Sequence, residues 1–295
     1  MLWQLAIGLS IIASTTTSLI QRRYALQSRA PETFPSAVSY LLGVMPIGII
    51  AGLLLPHHID WSWWLGFLLV LCAGSMAVSG WIGFKAVKLL PVVAYQTIGR
   101  FTNVVAIALG WIVLSEGLNA TQLWGAIVLL VAALLATWAP AQNTKNLQSI
   151  ERRVHMRAVL LTLLACATLA VALVTEKGIL GHMDVGGVML VGWGSQTLAM
   201  LLLATKDVNR TNLRVFKPGE IKWSTLMGLA NGVGGAFYVY ALYRSDNVSL
   251  IIALTAITLP LTVLGAHMLL GERDNGRLML LSLTLGFGGL LLTAW

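Results

Sequence analysis

The chain has 295 residues, of which 57% are hydrophobic and only 10% charged, with a mean hydropathy of +0.82. Charged residues make up about a quarter of a soluble domain, so these values exclude that class and point to a polytopic helical membrane protein. The net charge of +8 is therefore read by position, as a report on topology before it reports on an acidic partner.

A membrane span needs about 20 mostly apolar residues. Ten such runs follow one another: 3–20, 35–55, 62–84, 91–114, 121–139, 157–176, 185–204, 223–243, 248–270 and 276–294. Met1–Ile20 lacks the basic start and small-residue cleavage site of a secretory signal. Pro35, Pro91 and Pro218 stand at or just before starts, and Asn119 to Thr121 can cap the fifth run. Trp3, Trp61, Trp63, Trp64, Trp111, Trp138, Trp223 and Trp295 cluster near the ends, as an interfacial aromatic belt would. Cys72 and Cys166 both fall in apolar runs and read as core filler. Sixteen of the nineteen basic residues lie in loops 1–2, 3–4, 5–6, 7–8 and 9–10. The excess of positive charge on the cytoplasmic side places those loops inside the cell and both termini outside.

The fourth run holds the feature that organises the rest. Gln96, Arg100 and Asn103 recur at i, i+4 and i+7, so an unbroken helix sets them on one face. Arg100 lies two to three residues from mid-span, about 4 Å along the axis at 1.5 Å per residue, which makes snorkelling to the interface awkward. A charge at that depth is costly and marks a functional site by default. Arg100 reads as the counter-charge for a carboxylate or phosphate, which its planar fork suits, or as an arginine that bonds helix carbonyls. An internal ion pair requires an acid, and no Asp or Glu stands in the middle of any run.

Other runs carry polar stripes. The first has Ser10, Ser14, Thr17 and Gln21; the eighth has Asn231, Gly235 and Tyr238; the ninth has Thr255, Thr258 and Thr262 around Pro260. Such hydroxyls often bond back to their own helix, and each alone reads as structural. Together they converge on a hydrogen-bonding lining. Gly228-x-x-x-Gly232 and Gly234-Gly235 read as close-packing positions. His57-His58-x-Asp60 lacks a third clear ligand, so no metal is expected there. Glu116 and Glu272 sit at run ends, where a turn or cap is the simpler role. No phosphate-binding loop, metalloprotease motif or hydrolase triad occurs, so ATP-driven transport and hydrolysis are not expected.

The chain also repeats itself. Leu114-Ser115-Glu116-Gly117 matches Leu270-Gly271-Glu272-Arg273, and the final runs of the two halves end in Leu134-Leu135-Ala136-Thr137-Trp138 and Leu291-Leu292-Thr293-Ala294-Trp295. Five spans per repeat is an odd number, so the halves insert with opposite orientation, a recurrent design for alternating access. The expected fold is an all-α membrane protein, ten transmembrane helices as two inverted five-helix repeats: 1–140, a cytoplasmic linker over 141–156, and 157–295.

Ten spans in two five-span halves, with a Leu-x-Glu turn before each last span and Thr258-Leu259-Pro260-Leu261 in the ninth, resemble the drug/metabolite transporter superfamily, in particular its EamA-like permeases. The resemblance implies a cavity between helices 1, 3, 4 and 6, 8, 9, with 5 and 10 peripheral. The first half departs from the pattern, since Val104 stands where a proline is common. Family members commonly have cytoplasmic termini, whereas the charges here argue for external ones. The expectation is an inner-membrane permease, not an enzyme, that moves a small anionic or zwitterionic metabolite. Its substrate contacts are Arg100, Gln96, Asn103, Ser14, Thr17, Asn231, Tyr238, Thr255 and Thr258. Its partners are the lipid bilayer and a solute, with a proton or counter-solute, and no nucleic acid, cofactor or metal. Two alternatives stand beside it: an exporter of drugs or cations, and a protein that handles lipid phosphates.

Overall fold

The computed structural model describes residues 2–28, 33–90, 92–114, 149–205, 218–244, 258–270 and 277–294, with isolated positions between 120 and 135 and at 255. Asn119, Glu116, Glu272, Trp138, Trp295 and residues 141–148 of the linker lie outside the described residues. The described chain is helical, with one isolated β-bridge. This follows from the composition: in a long apolar run the main-chain N–H and C=O groups pair most cheaply within their own helix.

The helices are α1 (Leu2–Gln27), α2 (Thr33–Ser39), α3 (Met45–Leu54), α4 (Trp63–Leu89), α5 (Val92–Gly99), α6 (Phe101–Leu114), α7 (Ser149–Leu180), α8 (Val185–Gly187), α9 (Trp193–Thr205), α10 (Pro218–Arg244), α11 (Thr258–Gly265) and α12 (Arg277–Ala294). Among the described residues five stretches are long and apolar enough to cross a membrane: Trp3–Gln27, Thr33–Leu54, Trp63–Leu89, Arg153–Leu180 and Val185–Thr205. The protein is thus an all-helical chain with membrane-spanning character.

Local chemistry sets the ends and irregularities. Ser62 is extended (φ −146°), and its hydroxyl accepts the Leu65 amide at 3.1 Å, which caps the start of α4. Ser62→Ala is expected to cost about 1 kcal/mol, read as a lower unfolding midpoint in detergent with no change in helix content. Leu90, which precedes Pro91, is extended and closes α4. The second run bends through a π turn, Tyr40–Val44, just ahead of Pro46 near the start of α3. Proline offers no N–H and crowds the carbonyl four residues back, so the wider turn relieves both problems. A second π turn, Val188–Gly192, joins α8 to α9.

The two most extensive helix contacts are α1 with α10 and α4 with α7. Glycine allows the closest crossings. Gly43 and Gly228 face each other backbone to backbone, and a Cβ on Gly228 would meet the main chain of Ser39. Gly232 rests against Val44 and Ile47, so the pair at 228 and 232 is a packing pair, as its spacing suggested. A core of Leu65, Leu69, Cys72, Ile179, Met189, Trp193 and Val239 lies between these helices.

Each end of the bundle has its own fastening. At one end α1 runs on past the expected boundary at residue 20 to Gln27, so Arg22 and Arg23 belong to its last turns. Arg22 donates to the Val87 carbonyl, and Arg23 lies over the Trp223 ring at 5.4 Å. Tyr24 and Ser28 both donate to the Glu220 carboxylate, at 2.9 and 3.0 Å. These polar groups bury part of α1's end and so extend the helix beyond its apolar run. At the other end the segments before α4 and before α8 pair as a short antiparallel clasp. Asp60 N donates to His182 O at 2.9 Å, Asp184 N to His58 O at 3.0 Å, and Gly186 N to Pro56 O at 2.8 Å. His58 also contacts Asp60 at 3.0 Å. Among the described residues no three His, Cys, Asp or Glu side chains gather as metal ligands.

Candidate functional site

The fourth run does not form one continuous helix. It breaks at Arg100, between α5 and α6, where the Arg100 amide reaches back to Thr97 O at 3.2 Å and the Asn103 amide to Arg100 O at 3.0 Å. Both bonds span three residues, the tighter 3₁₀ pattern. The expected single face of Gln96, Arg100 and Asn103 is therefore interrupted at its centre. Two local causes stand out. Gly99 has no side chain to hold the helix in register. The thiol of Cys166 on α7 lies 3.7 Å from Ile98 O and 3.6 Å from Gly99 O, and supplies a donor at the break.

The break sends the polar groups to different elements. Gln96 Nε2 donates to Ser18 Oγ on α1 at 2.8 Å. Arg100 Nη2 donates to Thr258 Oγ1 on α11 at 2.6 Å, and the Thr258 hydroxyl donates in turn to Thr255 O. Gln96, Arg100, Thr255 and Thr258 thus form a cluster in which α1, the α5–α6 break and α11 meet. Arg100 Nε and Asn103 Nδ2 are buried without a hydrogen-bond partner. An orphaned buried donor costs about 1–3 kcal/mol, so these two N–H groups are strong donors available to an acceptor. Among the described residues Arg100 makes no ion pair with an acid. The site therefore offers the guanidinium of Arg100 and the amide of Asn103, donors suited to a carboxylate or phosphate oxygen, whereas the Thr258 hydroxyl proton is already given to Thr255 O.

The remaining expected residues lie elsewhere or turn inward on their own helices. Thr17 donates to Ala13 O at 2.9 Å, a bond within α1. Ser14 is exposed, receives the Ser18 hydroxyl at its carbonyl, and stands beside Gly234 of α10. Asn231 is exposed on α10. Tyr238 is half-buried and packs with Ile7, Ile11 and Ala241. Ser18 was not among the residues anticipated. It falls one position off the stripe of Ser10, Ser14, Thr17 and Gln21, and i+4 from Ser14 was the signal that pointed to it.

One expectation needs correction. The sixth run was bounded at 176, which left Glu176 at its edge and no acid inside any span. In the structure α7 continues to Leu180 within the apolar stretch Arg153–Leu180, and Glu176 is only 9% exposed. Val185–Thr205 and the first turns of α4 pack around this last turn and bury it.

No family model matches the chain, and no curated protein does. A solved structure described only as "Crystal structure of protein" is similar to it, with a TM-score of 0.68 and 14% identity over 98% of this chain and 95% of that one. At that identity the likeness concerns the fold alone.

Proposed function

We propose that the protein is a secondary-active transporter that moves a small anionic or zwitterionic metabolite by alternating access, with Arg100 as the contact for its negative group. The observation that carries this reading is the Arg100–Thr258 hydrogen bond across a helix break, flanked by two buried and unpartnered N–H donors. Interrupted helices at mid-depth are where transporters hold polar solutes. Ser18, Gln96 and Asn103 complete the lining.

The ten-span arrangement in two inverted halves, and the likeness to EamA-like permeases, belong to the same reading. Two relations in the packing support it. The α1–α10 and α4–α7 interfaces exchange roles if the halves are swapped. The second and seventh runs each carry a five-residue π turn, at Tyr40–Val44 and Val188–Gly192. The inner membrane, with both termini outside, follows from the loop charges.

A thermal-shift screen of the purified protein tests the substrate class. Amino acids, organic acids, sugar phosphates and amines are compared. An anion that stabilises the wild type and loses its effect in Arg100→Ala is expected. Stabilisation by amines alone, unaffected by Arg100→Ala, would favour the cation-exporter alternative instead.

A further inference from the structure

Glu176 has no part in the Arg100 cluster. The two lie on different levels of α7: Cys166 touches the break that carries Arg100, and Glu176 follows ten residues later, about 15 Å along the axis at 1.5 Å per residue. That separation is too long for both groups to clamp the two ends of one small zwitterion.

Glu176 is enclosed by side chains from four other elements. The Trp193 indole N–H at the start of α9 stands within hydrogen-bonding range of its carboxylate. Tyr40 of the first π turn, Cys72 of α4 and Tyr238 of α10 stand within range of its charge. Gln196 Nε2 reaches Cys72 Sγ at 3.6 Å and closes that side. Lys177 is its neighbour on α7, half-buried, and among the described residues no Lys, Arg or His is recorded in an ion pair with Glu176. Trp193 and Cys72 are 4% and 2% exposed, and Met189 and Ile179 beside them are fully enclosed.

A carboxylate taken from water without a basic partner is costly, and in an apolar interior it acquires a proton or a cation. The packing decides between these. Cys72 and Trp193, both buried against the acid, favour a proton over an organic cation. Buried ionisable groups in membrane-spanning helices mark proton and ion paths.

We propose that Glu176 is a proton-binding site that couples proton movement to solute movement at Arg100. Proton uptake forms the O–H bond of the Glu176 carboxyl, and release to water restores the carboxylate. Trp193 holds the carboxylate form through its N–H. Because α7 touches both the Arg100 break and the Trp193 helix, a change of charge at Glu176 moves an element that both sites share. The coupling rests on the transport reading above; the proton binding does not.

Infrared difference spectra of the reconstituted full-length protein test the binding step. As pH is lowered, the wild type is expected to gain the C=O stretch of a protonated carboxyl that Glu176→Gln lacks. Spectra of the two proteins that superimpose at every pH would overturn the proposal. Trp193→Phe, which removes the indole donor and keeps the bulk, is expected to shift the titration of that band; an unmoved band would count against the site. The coupling step is read in the same liposomes with labelled organic acids and amino acids as probes. Glu176→Gln is expected to keep exchange without a pH gradient, and to lose the several-fold acceleration that a gradient gives the wild type. Acceleration that persists in Glu176→Gln would refute coupling through this residue. Absence of any Arg100-dependent exchange in the wild type would sink the transport reading, while the infrared band would still stand or fall by itself.

Discussion

Arg100→Ala is expected to abolish solute exchange in liposomes while the protein still purifies and folds. Among the described residues the guanidinium supplies the charge at the α5–α6 break, and it donates to Thr258 across to α11. A hydrogen bond to a charged group contributes about 3 kcal/mol at the upper end of its range, which is roughly a hundredfold in affinity. The fold should tolerate the change, because the break is set by the backbone bonds at Thr97 and Asn103 and by Cys166, not by the arginine's side chain. Arg100→Lys separates geometry from charge. Lysine keeps the positive charge but not the planar fork, so a carboxylate held in two places should lose most of its binding in that variant too. Exchange that survives Arg100→Ala undiminished would mean that the solute binds elsewhere.

The second large effect is on stability. Gly228→Ala is expected to prevent assembly of α2, its π turn and α10 as one unit. The added Cβ would lie 2.7 Å from the Ser39 carbonyl carbon and 2.8 Å from its Cα, against main chain that has no rotamer to change. Overpacking in a filled core costs about 1–3 kcal/mol, and a clash with backbone belongs at the top of that range or beyond. The measurement is the unfolding midpoint in detergent together with the monodispersity of the purified variant. Gly235→Ala is the matched control. Its Cβ would meet the rim of the Trp193 ring at 3.2 and 3.4 Å, a contact that a small ring movement relieves.

Which features could be read from the amino acids follows from how they are encoded. The long helices were legible because apolar length is a local property, and so was the packing role of Gly228 and Gly232. Arg100 was legible as an outlier in an apolar run. Its partner Thr258 lies on another element, 158 residues away, and no local pattern joins them. The break itself was hidden, because Gly99 is compatible with an unbroken helix and the thiol that supports the break comes from α7. The far boundary of the sixth run was hidden for a related reason. Hydropathy ended the run at the acid, whereas tertiary packing from Tyr40, Trp193 and Tyr238 carries the helix past it. Arg22 shows the same effect at the far end of α1, where the Val87 carbonyl receives it.

The clasp between the segments at 56–60 and 182–186 is written in a different alphabet. Its three bonds join main-chain atoms only, and Ile59 and Met183 face each other as in a sheet. Any residue other than proline brings an amide and a carbonyl to such a seam, so most of its sequence can drift while the fastening stays; Gly186 is the exception, since a Cβ there would press on the Leu55 and Gly52 carbonyls at 2.8 and 2.9 Å. Divergent chains of this architecture can therefore share a closed end that no comparison of side chains would reveal.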